Sequence, residues 1–161
     1  MKRATTVQEA IKQTKPFKSA SQEAAIALLL AAEALRNRLA EPLAEHGKIT
    51  LQQYNVLRIL RGAGTAGLPT LEIVERMIEK TPGITRLIDR LEEKRLVERY
   101  RLDRDRRQVF CRFTDAGQEL LAELDDTVDA VDGEVLSCLS KQELVELIAL
   151  LNRVRDHQSK S

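Results

Sequence analysis

The hydrophobic period of this chain changes once, between Lys94 and Thr114, and that change decides what it can fold into. On either side, apolar residues recur at the three- and four-residue spacing of one helix face. Within the interval, Leu96-Val97-Glu98-Arg99-Tyr100-Arg101 and Gln108-Val109-Phe110-Cys111-Arg112-Phe113 are β-prone, and the second alternates clearly. They flank a polar loop, Leu102 to Arg107, and read as a hairpin. Two short strands cannot bury a core alone, so the hairpin must be an appendage to helices. Aromatic residues make up only 3% of the chain and Trp is absent, so that core has to come from Leu, Ile, Val and Ala.

The helices are well punctuated. The first long one spans about Ser19 to Glu45, with Ala25, Leu28, Leu29, Ala32, Leu35 and Leu39 on its apolar stripe. Gly47 is placed to end it, and Pro42 to kink its last turn or stop it early. Thr50 and Gln53 form a capping box that opens a second helix, buried through Val56, Leu57 and Leu60 and broken by Gly62-Ala63-Gly64. A short third helix follows Pro69-Thr70 and covers Leu71 to Glu79. The next opens with Thr81 as N-cap and Pro82 at its first position, and runs to about Lys94. Beyond the hairpin, Thr114-Asp115 caps a helix from Ala116 to about Leu139, and Ser140-Lys141-Gln142-Glu143 is a second capping box for a last helix to about Arg155.

The fold class is therefore mainly α with a small β hairpin. Helix, tight turn, helix and charged hairpin form the outline of a winged helix-turn-helix. It occupies 48–113 within a single unit spanning 1–161, preceded by an N-terminal arm and first helix (1–47) and followed by C-terminal helices (114–161).

A formal net charge of +1 hides a marked asymmetry. Lys2, Arg3, Lys12, Lys15 and Lys18 face Glu9 alone in the first twenty positions, and Arg99, Arg101, Arg104, Arg106, Arg107 and Arg112 crowd the hairpin. From Thr114 onward acidic residues dominate. A basic middle with an acidic tail points to a polyanion partner. Cys111 and Cys138, with no CxxC and no paired His, fit a reduced cytoplasmic protein. No apolar h-region follows the N-terminal basic residues, and the apolar run Ala24–Ala32 is too short to span a bilayer, so no membrane role is expected.

In the helix after Thr81, Ile84, Leu87, Ile88 and Leu91 form one buried stripe, which turns Gly83, Thr85, Arg86, Asp89 and Arg90 outward. Small residues at the start, Thr81-Pro82-Gly83, let the backbone approach a groove, and the helix N-terminus attracts phosphate. Arg86 can reach a guanine edge bidentately, and Thr85 can donate to phosphate or touch a thymine methyl. The hairpin tip, Asp103-Arg104-Asp105-Arg106-Arg107, carries three arginines that folding does not ask for. Arginine at such a tip suits the narrow, electronegative minor groove of A·T-rich DNA. Each signal alone also fits a solvated helix face or a charged, edge-guarding hairpin. Together they describe adjacent grooves of one double-stranded DNA.

Other classes fit less well. A winged helix that binds protein would present an apolar patch on its recognition face, and none is evident. An enzyme would need a nucleophile elbow, a Gly-rich phosphate loop or a cluster of catalytic groups, and no catalytic or cofactor-binding residue is assigned. His46 and His157 lack partners at ligand spacing, so no metal site is assigned either; His46 beside Gly47 suits a helix C-terminus.

Six pieces in order resemble one known family. They are Ile49-Thr50-Leu51-Gln52-Gln53-Tyr54-Asn55-Val56-Leu57, Thr85-Arg86-Leu87-Ile88-Asp89-Arg90-Leu91-Glu92, Leu96-Val97-Glu98-Arg99 with the tip Asp105-Arg106-Arg107, Phe113-Thr114-Asp115-Ala116-Gly117, and Leu139-Ser140-Lys141-Gln142-Glu143-Leu144. The chain from about Ser21 is similar to the multiple-antibiotic-resistance-regulator (MarR) family. The resemblance implies a homodimer whose first and last helices intertwine, with each winged domain reading half of a palindromic operator, usually as a repressor. It implies that Arg107 enters the minor groove with Asp105 pairing to hold it. It also implies a small-molecule effector, often phenolic or anionic, between the dimerisation and DNA-binding parts, or else oxidant sensing through a cysteine. Two departures stand out. Arg95 replaces the usual Gly, where a left-handed backbone would cost Arg roughly 1 kcal/mol. The N-terminal helix lacks the cysteine of the peroxide-sensing branch, and Cys111 and Cys138 read as small buried hydrophobes.

Overall fold

A computed structural model describes residues 5–80, 83–102 and 105–158, apart from the side chains of Asp105, Arg106 and Gln158. A short helix not anticipated from the sequence, α1 (Val7–Ala10), is closed by a capping box between Thr6 and Glu9. The long α2 (Ala20–His46) starts at N-cap Ser19 and ends at Gly47. Pro42 does not stop it: the helix continues a full turn beyond, so the missing amide is tolerated near its end. His46 contributes Nδ1 within 3.1 Å of the Pro42 carbonyl in that last turn. The left-handed residue after the helix is Lys48 (φ 49°), not Gly47.

The capping box at Thr50 is formed as expected, the Gln53 amide donating to Thr50 Oγ1 (3.2 Å) and the Thr50 amide to Gln53 Oε1 (3.0 Å). It opens α3 (Leu51–Ala63), whose Val56, Leu57 and Leu60 are fully buried. A 3-10 turn at Gly64–Ala66 leads to a two-residue strand, β1 (Leu68–Pro69), and then to α4 (Thr70–Arg76). The expected end of α4 at Glu79 is too late: Met77 is already extended (ψ 137°), and Lys80 Nζ donates back to the Glu75 carbonyl at 2.5 Å.

The next helix, α5, is Ile84–Glu93, and its N-cap is Gly83. This corrects the expected start at Thr81-Pro82, two residues that lie outside the described ones. Gly83 adopts φ 109°, a conformation open to glycine and costly for other residues, and it takes the capping position in its place. Strands β2 (Val97–Leu102) and β3 (Asp105–Phe113) form the hairpin, longer at its tip than the sequence suggested. The sheet has three antiparallel strands in the order β1-β3-β2, where two were expected. A two-residue strand carries no readable period, and Pro69, which lacks an amide, is tolerated because β1 is an edge. Helices α6 (Asp115–Leu136, ending three residues before the expected Leu139) and α7 (Lys141–Gln158) complete the order.

One core joins the halves of this chain: Leu39 and Leu43 of α2, the α3 stripe, Ile88 and Leu91 of α5, Val97 and Cys111 of the sheet, and Leu121, Leu124 and Val128 of α6. Ion pairs Arg38–Glu134 and Arg61–Asp125, each 2.6 Å, border it. The core does not reach the first half of α2 or α7. Leu28, Leu29 and Leu30 stay exposed, Leu29 at 69%, as do Val145, Ile148, Leu150, Leu151 and Val154. Leu28 and Leu29, expected on a buried stripe, are left exposed by the described residues. Among the described residues no helix is long and apolar enough to cross a membrane.

Candidate nucleic-acid interface

The α5 stripe behaves as its spacing requires. Ile88 and Leu91 are fully buried, with Ile84 and Leu87 packed against the core. Thr85, Arg86 and Arg90 are consequently turned to the opposite face, with Gly83 at the tip. Gly83, the N-cap, has no side chain to offer the first amides of α5. Arg86 and Arg90 form no ion pair among the described residues.

Other arginines have been taken up by the fold. Strand alternation turns Arg99, with Val97, toward α5. Arg99 Nη2 lies 2.6 Å from Asp89 Oδ1 and donates to the Thr85 carbonyl at 3.1 Å, while Nη1 donates to Glu92 Oε2 at 3.0 Å. The Arg99 amide adds a bond to Glu92 Oε1 at 3.2 Å. Strand β2 thus grips three successive turns of α5. Asp89, expected to face out, is half-buried by this contact. On the other sheet face, Arg112 lies 5.1 Å above the Tyr100 ring and pairs with Glu98 at 2.6 Å. Sequence reading counted Arg99 and Arg112 within a basic hairpin and missed the clamp. The available signal was the pair of acids at Asp89 and Glu92, on the helix that immediately precedes the strand.

The turn between α5 and the hairpin contains Arg95 in the left-handed region (φ 58°). The Leu96 amide reaches the Leu91 carbonyl (2.9 Å), and the Arg95 amide reaches that of Glu92 (2.8 Å). The helix end therefore keeps the geometry expected of a glycine. Thr114 locks it from above, its hydroxyl donating to the Arg95 carbonyl at 2.6 Å. Gly117 allows the approach, since a Cβ there would sit 2.1 Å from the Leu96 carbonyl oxygen.

Between helices α4 and α5 and the hairpin lies an open cleft of about 580 Å³, lined by Thr70 and Leu71 of α4, Thr85 of α5, and hairpin residues that include Arg99, Arg101 and Arg107. Thr85 and Arg107, drawn from separate stretches, thus share one cleft. Leu71, 73% exposed, adds an apolar wall that the sequence did not single out. Thr70 pins α4 to the wing through a bond from its hydroxyl to the Val109 carbonyl (3.2 Å). Arg104 lies outside the described residues, as do the side chains of Asp105 and Arg106, so the expected Asp105–Arg107 pairing does too.

Comparison with known proteins fits this geometry. The family model described as MarR family matches residues 49–109, from the approach to α3 into β3. The solved structure of a MarR transcription factor from Planctomyces limnophilus is 38% identical, covering 85% of this chain and 98% of that one, with a TM-score of 0.65. The chain belongs to the MarR family. It is a DNA-binding transcriptional regulator. Among other relatives, the HTH-type transcriptional regulator FarR of Neisseria gonorrhoeae is 28% identical over 88% of this chain and 97% of its own length. A mutant MarR from E. coli, solved in complex with operator DNA, is 26% identical, with a TM-score of 0.71 over 80% of this chain and 90% of that one.

Within this MarR-family chain the two cysteines differ. Cys111, in the central strand, is fully buried, and burial pushes its thiol up to about 11. Cys138 is exposed at the turn after α6, which corrects the expectation that both are buried.

Proposed function

We propose that this regulator binds a palindromic operator as a homodimer, each protomer reading one half-site. Gly83, Thr85, Arg86 and Arg90 of α5 face the major groove, with Thr81 and Pro82 at its entry. The tip residues Arg104, Asp105, Arg106 and Arg107 meet the adjacent minor groove. The observation that carries this reading is the sorting of arginines: Arg86 and Arg90 lie on the outward face of α5 without ion pairs, whereas Arg99 and Arg112 are engaged in the scaffold. Phosphate and base contacts need the first kind.

The exposed leucines of α2 and the apolar residues of α7 support dimerisation through segments 1–47 and 114–161, around a DNA-reading unit at 48–113. Two recognition helices must then sit about one helical turn of DNA apart. A small-molecule effector lodged between the dimerisation and DNA-binding parts would act by changing that separation, and repression in the cytoplasm is the outcome. Thiol sensing through Cys111 is the weaker reading, because that buried thiol is held in its unreactive form, which leaves the exposed Cys138 as the one accessible thiol among the described residues.

The test is a titration of the protein with DNA upstream of its own gene, at two salt concentrations, against unrelated DNA. Tight, salt-sensitive and selective binding is expected. Equal affinity for both DNAs would overturn the operator assignment. In parallel, Ile148→Glu should convert a dimer to monomers in analytical ultracentrifugation, and a parent protein that sediments as a monomer would remove the dimer.

A further inference from the structure

The turn that leads into the recognition helix is fastened to the long α2 helix by one carboxylate. Arg36 Nε of α2 lies 2.9 Å from Glu79 Oε1, and Gln52 Nε2 of α3 donates to Glu79 Oε2 at 3.1 Å. Both oxygens of one side chain are therefore held, each by a different helix. The backbone is held beside it, since the Ile78 amide donates to Asn55 Oδ1 of α3 at 3.0 Å. Ile78 itself is 79% exposed, so among the described residues no apolar anchor follows the buried Met77 before α5. Four residues, Lys80 to Gly83, separate Glu79 from the start of α5 at Ile84.

Arg36 sits where α2 changes character. One and two turns later come Leu39 and Leu43, which anchor the helix in the core, and before it lie the exposed Leu28, Leu29 and Leu30. We propose that the Arg36–Glu79 pair is a positioning contact that transmits the placement of α2 to the recognition helix, so that the contact sets operator selectivity and contributes little to folding. The inference rests on the DNA-reading role assigned above to α5. The pair is partly solvent-exposed (46% and 37%), and such pairs contribute little to stability. Its removal therefore probes placement without unfolding the chain.

The sign of one substitution separates this role from simple electrostatics. Glu79→Gln removes a negative charge from a DNA-binding protein, and charge alone predicts tighter binding to every duplex. A positioning role predicts the opposite for the operator: roughly tenfold weaker binding, with two copies per dimer affected, while affinity for unrelated DNA holds or rises.

The experiment uses the full chain and an operator selected by the parent protein from a random duplex library, with an unrelated duplex for comparison. Glu79→Gln and Arg36→Gln should each lose operator affinity at an unchanged melting temperature. The reciprocal variant Arg36→Glu/Glu79→Arg should recover most of what Arg36→Glu loses. Glu79→Gln binding both duplexes more tightly, or the operator as the parent does, would overturn the proposal, as would a reciprocal variant no better than its single parents. A parent protein that selects no sequence would instead defeat the DNA-reading role itself.

Discussion

Arg99 of β2 lies 2.6 Å from Asp89 of α5, and this pair ties together the two elements to which DNA reading is assigned in the proposal above. Glu92 and the Thr85 carbonyl complete the grip. A helix held at three points along its length cannot roll against the sheet, so the outward set Thr85, Arg86 and Arg90 keeps one orientation. The side chains involved are only partly shielded from water, so the value of the clamp lies in geometry more than in stability.

Arg99→Gln should therefore cost about 1 kcal/mol of folding stability. Its operator affinity should fall roughly tenfold, with binding to unrelated DNA little changed. Thermal denaturation and paired titrations check this. An equal loss on both DNAs would make Arg99 a phosphate contact instead.

Arg86 and Arg107 should fail differently. Arg86→Ala should lose about 1–3 kcal/mol on the operator and relax selectivity at one base position. Arg107→Ala should weaken binding to many sequences alike. Selection from a random duplex library reads both effects, and parent-like behaviour of both variants would show that the site assignments are wrong.

The buried thiol of Cys111 has a pH consequence. Its pKa rises from 9.0 to about 11 because burial disfavours the thiolate. A group raised on folding stabilises the folded state while protonated, so its contribution is complete below pH 9.0 and is lost as pH climbs toward about 11. The parent should lose melting temperature across that window more steeply than Cys111→Ala. At neutral pH a thiol reagent should modify Cys138 rapidly and Cys111 only on unfolding. Two rapid equivalents from the native protein would contradict the assignment.

Arg95→Gly should stabilise the chain. Relief of the left-handed conformation is worth about 1 kcal/mol. For a chain of this size that raises the melting temperature by roughly 2–4 °C. A fall would mean that the Arg95 side chain supports the fold more than its backbone strains it.

Most elements were legible because their signals are local. A capping box such as Thr50/Gln53 or Ser140/Glu143 is complete within four residues, and the Ile84-Leu87-Ile88-Leu91 stripe needs only helical geometry. Strand β1 was not legible, because two residues carry no period and Leu68 is paired only by Cys111, far along the chain. The start of α5 moved to Gly83, where a positive φ overrode the local preference for Thr81 and Pro82.

By itself the sequence determined the order of helices, the hairpin and the face that α5 turns outward, since periodicity and capping act over one or two turns of backbone. Tertiary structure decided which charges remain available. Arg86 and Arg99 look alike in a list of basic residues, yet one has no ion pair among the described residues and the other is ringed by Asp89 and Glu92. Folding also settled that Leu29 stays bare while Leu39 and Leu43, on the same helix, are buried. Ion pairing and burial depend on what distant segments bring within a few ångströms, and no local pattern encodes that.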